Sequence, residues 1–346
     1  MNYKILAIET SFDDTSVAVL QGRRVLSNVV YSSTDLHKKW GGVVPDISRR
    51  AHMENIKGVY NEALSRSRLD IKDIEYIAVT YGPGLAIDLE VGLNFAKDLV
   101  KKYNKKFVPV NHMEGHLLSP FILNSKGKGL IEDIDEEVFP AIGVLVSGNH
   151  TELIFVKDFC EYEKLGETLD DAAGEAFDKV GRMLDLGFPG GPVVSEFAKK
   201  GKRGNIEFSV PMKHSGDLNF SYSGLKTACL YKIRELREEG KSDNDWVYDF
   251  CRGFVDAVSK SIIFKLDKAL QEREVKSVFA GGGVLVNEYI SRSIGRKAKE
   301  FDKKYYLPPI KYRTDNAAMI GVAGYFNILN GNFGDLQIDR EPRLEL

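Results

Sequence analysis

With 346 residues, 43% of them hydrophobic and 28% charged, and a formal net charge of -2, the chain has the length of two ordinary domains and the composition of a soluble enzyme. The near-neutral balance excludes a protein that coats nucleic acid non-specifically, since such binding depends on many Lys and Arg contacts to phosphate. No apolar run reaches the roughly 18 residues a membrane span needs, so no membrane association is expected.

The chain enters a strand pattern at Lys4 with no apolar leader, which predicts a cytoplasmic protein whose Cys160, Cys229 and Cys251 are reduced core thiols. Residues 4–20, "KILAIETSFDDTSVAVL", and 141–156, "AIGVLVSGNHTELIFV", are each two β-rich runs around a tight polar turn, and predict two hairpins. Their shared design half a chain apart suggests an internal duplication into two lobes. Basic clusters at 37–39, 48–52, 101–106 and 199–204 read either as solvated surface or as RNA contacts. The polar, acidic stretch 124–137 suits an exposed connection between lobes.

The strand "KFVPV" runs into "NHMEGH", a near match to the H-E-x-x-H signature of zinc proteases. Residues four apart on a helix lie only about 40° apart around its axis, so His112 and His116 can grip one ion or can simply be structural. Glu114 lies about 200° round from His112, on the far face, where a protease base would be useless. Asn111 and Glu114 instead have the spacing of a capping box. Asp315, at a helix start among small residues, is the best candidate third ligand, or else a first-turn acid favoured by the helix dipole. Two His and one carboxylate suit a borderline divalent ion such as Fe(II) or Zn(II).

Helices are expected at 168–186, 223–239, 244–272 and 314–329, and a strand, glycine turn and helix start at 276–290. Asp171, Glu175 and Asp178 share one face of the first of these, which reads as a solvated face. Gly281, Gly282 and Gly283 form the glycine turn, whose backbone N–H groups can approach a phosphate, and Asn287 follows one helical turn on. Together these features predict an α/β, actin-like, sugar-kinase or Hsp70-ATPase fold, with two duplicated lobes around a nucleotide cleft. The divisions expected are 1–138, 139–318 with a helical substrate-binding insertion, and 319–346 as a helix and tail packing back on the first lobe.

The stretches "IETSFDDTSVAV", "GGVVPDISRRAH", "VNHMEGHLLSP", "LVSGNHTEL", "DDAAGEAFDKVGRMLDLGFPGGP", "FSYSGLKTA", "AGGGVLVN" and "TDNAAMIG" resemble, in order and over nearly the whole chain, the TsaD family of tRNA threonylcarbamoyl transferases. The resemblance implies transfer of a threonylcarbamoyl group from threonylcarbamoyl-AMP to the exocyclic amine of the adenosine 3′ of the anticodon, with release of AMP. It implies metal ligands His112, His116 and Asp315 with one divalent ion, Fe(II) or Zn(II). Leu145, Val146, Ser147, Gly148, Asn149, Asp178, Gly191 and Asn287 are implied to hold the adenylate, and Asp13 and Asp14 to be catalytic acids. ATP or AMP would share the cleft. The implied partners are tRNA, a smaller actin-like paralogue (TsaB) and a P-loop ATPase (TsaE). Phe12 stands where the family has Cys, Asn149 where it has a second Gly, and Val286 where it has Ala. The competing readings are a metalloendopeptidase, a small-molecule kinase of the same fold, and a nucleotide switch without turnover.

Overall fold

The alternation of apolar residues in the first hairpin puts side chains on both faces of a strand pair, and the structure buries both. A computed structural model describes residues 2–135, 137–240 and 242–346; Glu136, in the connection expected at 124–137, lies outside the described residues. Strands β1 (Lys4–Glu9) and β2 (Asp14–Gln21) pair antiparallel from Lys4 with Gln21 to Glu9 with Ser16. β3 (Arg24–Ser32) continues the meander. After α1 (Thr34–His37) and α2 (Pro45–Ser67) come β4 (Tyr76–Gly82), α3 (Ala86–Tyr103), β5 (Lys106–Asn111) and α4 (His112–Leu118). The sheet order is β3-β2-β1-β4-β5, with β1, β4 and β5 parallel.

The second sheet repeats this plan. β6 (Ala141–Val146) and β7 (Thr151–Asp158) form the expected hairpin, followed by β8 (Glu161–Glu167). Helices α5 (Ala173–Met183), α6 (Gly190–Lys200), α7 (Ser223–Glu238) and α8 (Asp243–Glu272) precede β9 (Ser277–Gly281), α9 (Glu288–Glu300) and β10 (Lys304–Tyr306). The order β8-β7-β6-β9-β10 matches the first sheet strand for strand, so the duplication suggested by two hairpins extends to the whole topology.

The chain divides into two compact units: Met1–Glu136 with Asp158–Tyr162 and Pro308–Leu346, and Glu137–Lys157 with Glu163–Leu307. In the first, Leu6, Ile8, Val17 and Val19 meet Ile56, Val59, Leu93 and Ala96 of α2 and α3. α10 (Ala317–Leu329) packs against the same sheet, and its small residues set the distance. A Cβ on Gly321 would stand 2.2 Å from Leu20 Cδ1, and one on Gly324 2.9 Å from Ala78 Cβ. In the second unit, Ile142, Val144, Leu153 and Val278 meet Phe177, Phe250 and Phe254.

α2 and α3 occupy stretches in which the sequence displays only basic clusters. The buried face of α2 carries Ser48 and His52 among Ala51, Ile56, Val59 and Ala63, so no clean apolar stripe marks it.

Candidate functional site

Asn111 ends β5 and caps α4, its Oδ1 accepting from Met113 N at 2.8 Å and Glu114 N at 3.3 Å. That cap fixes where the helix begins and hence where His112 and His116 point. Their rings meet edge to face at 4.8 Å. Asp315, which precedes the Asn316 cap of α10, places Oδ1 3.1 Å from His116 Nε2 and 3.6 Å from His112 Nε2. The three residues each offer a ligand atom within 4.8 Å of the others.

Behind this trio stands a residue that sequence reasoning passed over. Glu9, at the end of β1, is fully buried, and its Oε2 lies 3.1 Å from His112 Nδ1. A carboxylate only accepts, so Nδ1 carries the hydrogen and Nε2 is turned toward Asp315. Ser11 N donates to Glu9 Oε1 at 2.6 Å and Thr80 Oγ1 donates to Oε2, which hold the carboxylate ionised and in place. Burial would raise Glu9, but the neighbouring His112 wins and lowers it. Burial likewise opposes a charged His112, yet Glu9 and Asp315 raise it to about 9. The buried Glu9 and the partly buried Asp315 thus draw positive charge onto His112. The donor set, with one His oriented by a second carboxylate, fits a divalent cation of the Fe(II) or Zn(II) type.

Glu114 corrects the expected capping box. It does not return to the cap; it accepts from Tyr162 Oη at 2.8 Å and from Asn327 Nδ2 at 2.7 Å, and burial raises its pKa. These partners tie Glu114 to a structural network rather than to the histidines.

Asp13 ends the turn between β1 and β2 and Asp14 opens β2, and the two differ. Thr34 Oγ1 donates to Asp13 Oδ2 at 2.7 Å, while Ser33 N and Oγ both donate to the Asp13 carbonyl. Asp14 Oδ1 is buried without a hydrogen bond, and burial, reinforced by the Asp13 charge, raises Asp14 to about 7. The turn is braced by α2: His52 Nε2 donates to Phe12 O at 2.7 Å, and its Nδ1 therefore accepts from Thr15 Oγ1 at 2.7 Å. Ser48 Oγ donates to Asp88 Oδ2 at 2.7 Å beneath it. His52, Ser48 and Asp88 were invisible in the sequence because the signal for them is contact, not spacing.

The remaining site residues belong to the second unit. Leu145 and Val146 bury their side chains completely in β6, so they can offer a ligand only backbone. Gly282 has φ 106°, and a Cβ there would stand 2.3 Å from Val146 O. Gly174, at the start of α5, would likewise collide with Ser147 O at 2.5 Å and Gly148 Cα at 2.6 Å. The end of β6, the start of α5 and the turn of Gly281, Gly282 and Gly283 therefore meet backbone to backbone. Gly148 and Gly191 have open space where a Cβ would be, and Asn149 is exposed.

Asp178 is not part of a merely solvated face. Its Oδ1 accepts from Gly190 N at 2.7 Å and Gly191 N at 3.3 Å, fixing the start of α6. Asp171 and Glu175 instead pair with Lys179, each at 2.7 Å. Asn287 caps α9 through Oδ1, while its Nδ2 donates to Ser195 Oγ at 2.9 Å, and Ser195 Oγ donates to Gly191 O at 2.7 Å. A continuous chain of contacts thus joins Asp178, Gly191 and Asn287. Three helix starts and a glycine turn in one place suit a phosphate-bearing ligand.

The family model described as TsaD, tRNA N6-adenosine threonylcarbamoyltransferase, matches residues 24–322. A relative from Thermosipho melanesiensis with that name is 43% identical over 346 residues, 99% of each chain, and one from Clostridioides difficile is 42% identical over 342 residues, 99% of this chain and 98% of that one. Among solved structures, T. kodakarensis HypF matches with a TM-score of 0.64 at 16% identity, over 96% of this chain and 49% of that one. Component A of an Acidaminococcus fermentans (R)-2-hydroxyglutaryl-CoA dehydratase matches with a TM-score of 0.53 at 12% identity, over 93% and 98%. At these identities the structural likeness speaks for the fold alone.

Proposed function

The chain belongs to the TsaD family and is a tRNA N6-adenosine threonylcarbamoyltransferase, and from that premise we propose how its own residues carry the reaction. The donor is threonylcarbamoyl-AMP, the acceptor the adenosine 3′ of the anticodon, and AMP the leaving group. Adenylate rests on the second unit, against the backbone of 145–149, the Gly281–Gly283 turn and the starts of α5, α6 and α9, with Asp178 and Asn287 shaping the seat rather than touching the ligand. The observation that carries this reading is the convergence of His112, His116 and Asp315, residues up to about 200 positions apart, in a family match covering most of the chain.

His112, His116 and Asp315 would hold one divalent ion, which when bound supplies Lewis acidity toward a carbonyl or phosphate oxygen. An adenine amine is a weak nucleophile, so positioning dominates. Its nitrogen attacks the carbamoyl carbon, the bond from that carbon to the phosphate oxygen breaks, and the amine proton passes to a carboxylate. Asp14 suits that last role better than Asp13: it has an unpaired oxygen and titrates near neutrality, whereas Thr34 ties Asp13 down. Fe(II) is favoured over Zn(II) only by the family resemblance. The same resemblance supports a smaller actin-like paralogue and a P-loop ATPase as partners. Among the described residues, no helix is long and apolar enough to cross a membrane.

The test is nucleoside analysis of tRNA incubated with threonylcarbamoyl-AMP and the chain, with and without those partners, and of tRNA from cells depleted of the protein. Modified adenosine should form in the first and vanish in the second; tRNA that keeps the modification after depletion overturns the reading. His112→Ala with His116→Ala should lose bound metal and transfer together.

A further inference from the structure

Away from the residues above, the second unit has a cavity of about 480 Å³ lined by α8, α9 and the segment around Lys213. Four cations line it against two carboxylates. Both carboxylates are taken by one cation: Lys297 Nζ lies 2.8 Å from Asp267 and 2.5 Å from Glu300. Among the described residues, the exposed Lys213 and Lys260 have no partner, and Arg296 bonds only the neutral Ser293 Oγ, at 3.0 Å. Phe264 presents an uncovered ring on the same wall, 39% exposed.

The cavity continues into a second basic cluster through Tyr289. Its hydroxyl receives a hydrogen bond from Arg203, the Arg252 guanidinium lies 4.1 Å from its ring centre, and the two guanidiniums share one carboxylate, Asp256, each at 3.1 Å, so the pair keeps one net positive charge. Beyond, Lys200 sits 5.3 Å from the Tyr248 ring, and Lys202 is exposed. Cations on both sides of Tyr289, with the exposed Phe264 ring beside them, match an extended polyanion better than a single phosphate.

We propose that this strip, from Lys213, Lys260 and Arg296 across Tyr289 to Arg203 and Lys202, holds the phosphodiester backbone of the substrate tRNA at a distance in sequence from the transfer residues. The inference rests on the tRNA reading above. It also reconciles a formal net charge of -2 with an RNA substrate, since local charge suffices.

The experiment is anisotropy of labelled tRNA titrated with the chain across a salt series, for wild type, the triple variant Lys213→Glu, Lys260→Glu, Arg296→Glu, and the milder triple Gln variant. All three positions are exposed, so the melting temperature should hold. The Glu triple should bind at least about 10-fold more weakly, and its slope of log K against log salt should fall by about two to three, roughly one per phosphate contact, with the Gln triple between. Equal affinity and slope in all three proteins overturns the proposal, as does competition of tRNA off the strip by inorganic phosphate or AMP at concentrations that fill a single-anion site. The two readings fail separately: wild type that binds tRNA through the strip but yields no modified nucleoside refutes the transferase reading, and a Glu triple that binds and modifies as wild type refutes the strip alone.

Discussion

At the scale of single residues, the two adjacent aspartates of the first turn show how environment separates identical side chains. Asp14 is raised from the ordinary carboxyl value to about 7, first by burial and then by the Asp13 charge. A carboxyl held protonated in the folded state but ionised in the unfolded one makes the native state bind more protons between about pH 4 and pH 7. Stability therefore falls as pH rises through that window. Asp14→Asn removes the ionisation without changing shape. Melting curves of the two metal-free proteins should nearly coincide below about pH 4 and diverge by pH 8, where the variant melts higher. Transfer should fall by about 100-fold or more, the size of a lost general base, and the rise of wild-type activity through neutral pH should vanish with it. Equal melting at pH 8 would mean that Asp14 is ionised at no cost and is not the tuned group.

At the scale of elements, the glycine turn after β9 is held to its shape by a close approach that no other residue permits. Gly282 combines φ 106° with a Cβ position 2.3 Å from Val146 O, and Val146 is itself locked in β6. Gly282→Ala should cost about 1–3 kcal/mol in urea unfolding, the usual size for backbone strain, and should weaken AMP binding measured by calorimetry, because relief comes by moving the turn off the end of β6. Retained affinity with lowered stability would separate the turn from the ligand. The same comparison explains what was legible in the chain. Both hairpins, the glycine turn and the Asn111 cap were readable because local rules of alternation, φ and capping decide them. Glu9 was not: it sits inside an apolar strand run, and only the fold brings it to His112, 103 positions on. α2 was missed because its buried face holds Ser48 and His52, which a hydrophobic period cannot flag. The capping box at Glu114 failed for the converse reason, since Tyr162 and Asn327 offer it stronger partners from far along the chain.

At the scale of the whole molecule, duplication produced two units of one topology with different chemistry. The first, with its own core around Leu6, Val17 and Leu93, holds Asp13, Asp14, His112, His116 and Asp315. The second, built on Ile142, Phe177 and Phe250, holds residues 145–149, Asp178, Gly191, Gly281–Gly283 and Asn287. β1 and β6 are equivalent strands, yet β1 ends in the buried Glu9 that orients a histidine, and β6 is followed by the buried Ser147 and by Gly148, which has open space where a Cβ would stand. Each ligand should therefore stabilise the unit that carries its residues. A ligand at 100 times its Kd that binds only the native site stabilises it by about 2.7 kcal/mol, slowing by about 100-fold the exchange of amides that open with the site. Hydrogen exchange read by mass spectrometry should show Zn(II) protecting β1, α4 and the start of α10. AMP should protect the end of β6, the starts of α5 and α6 and residues 281–288. Protection of the first unit alone by AMP would remove the glycine turn from the nucleotide site and return it to the status of a structural turn, whereas the separated pattern assigns metal and adenylate to different copies of one ancestral plan.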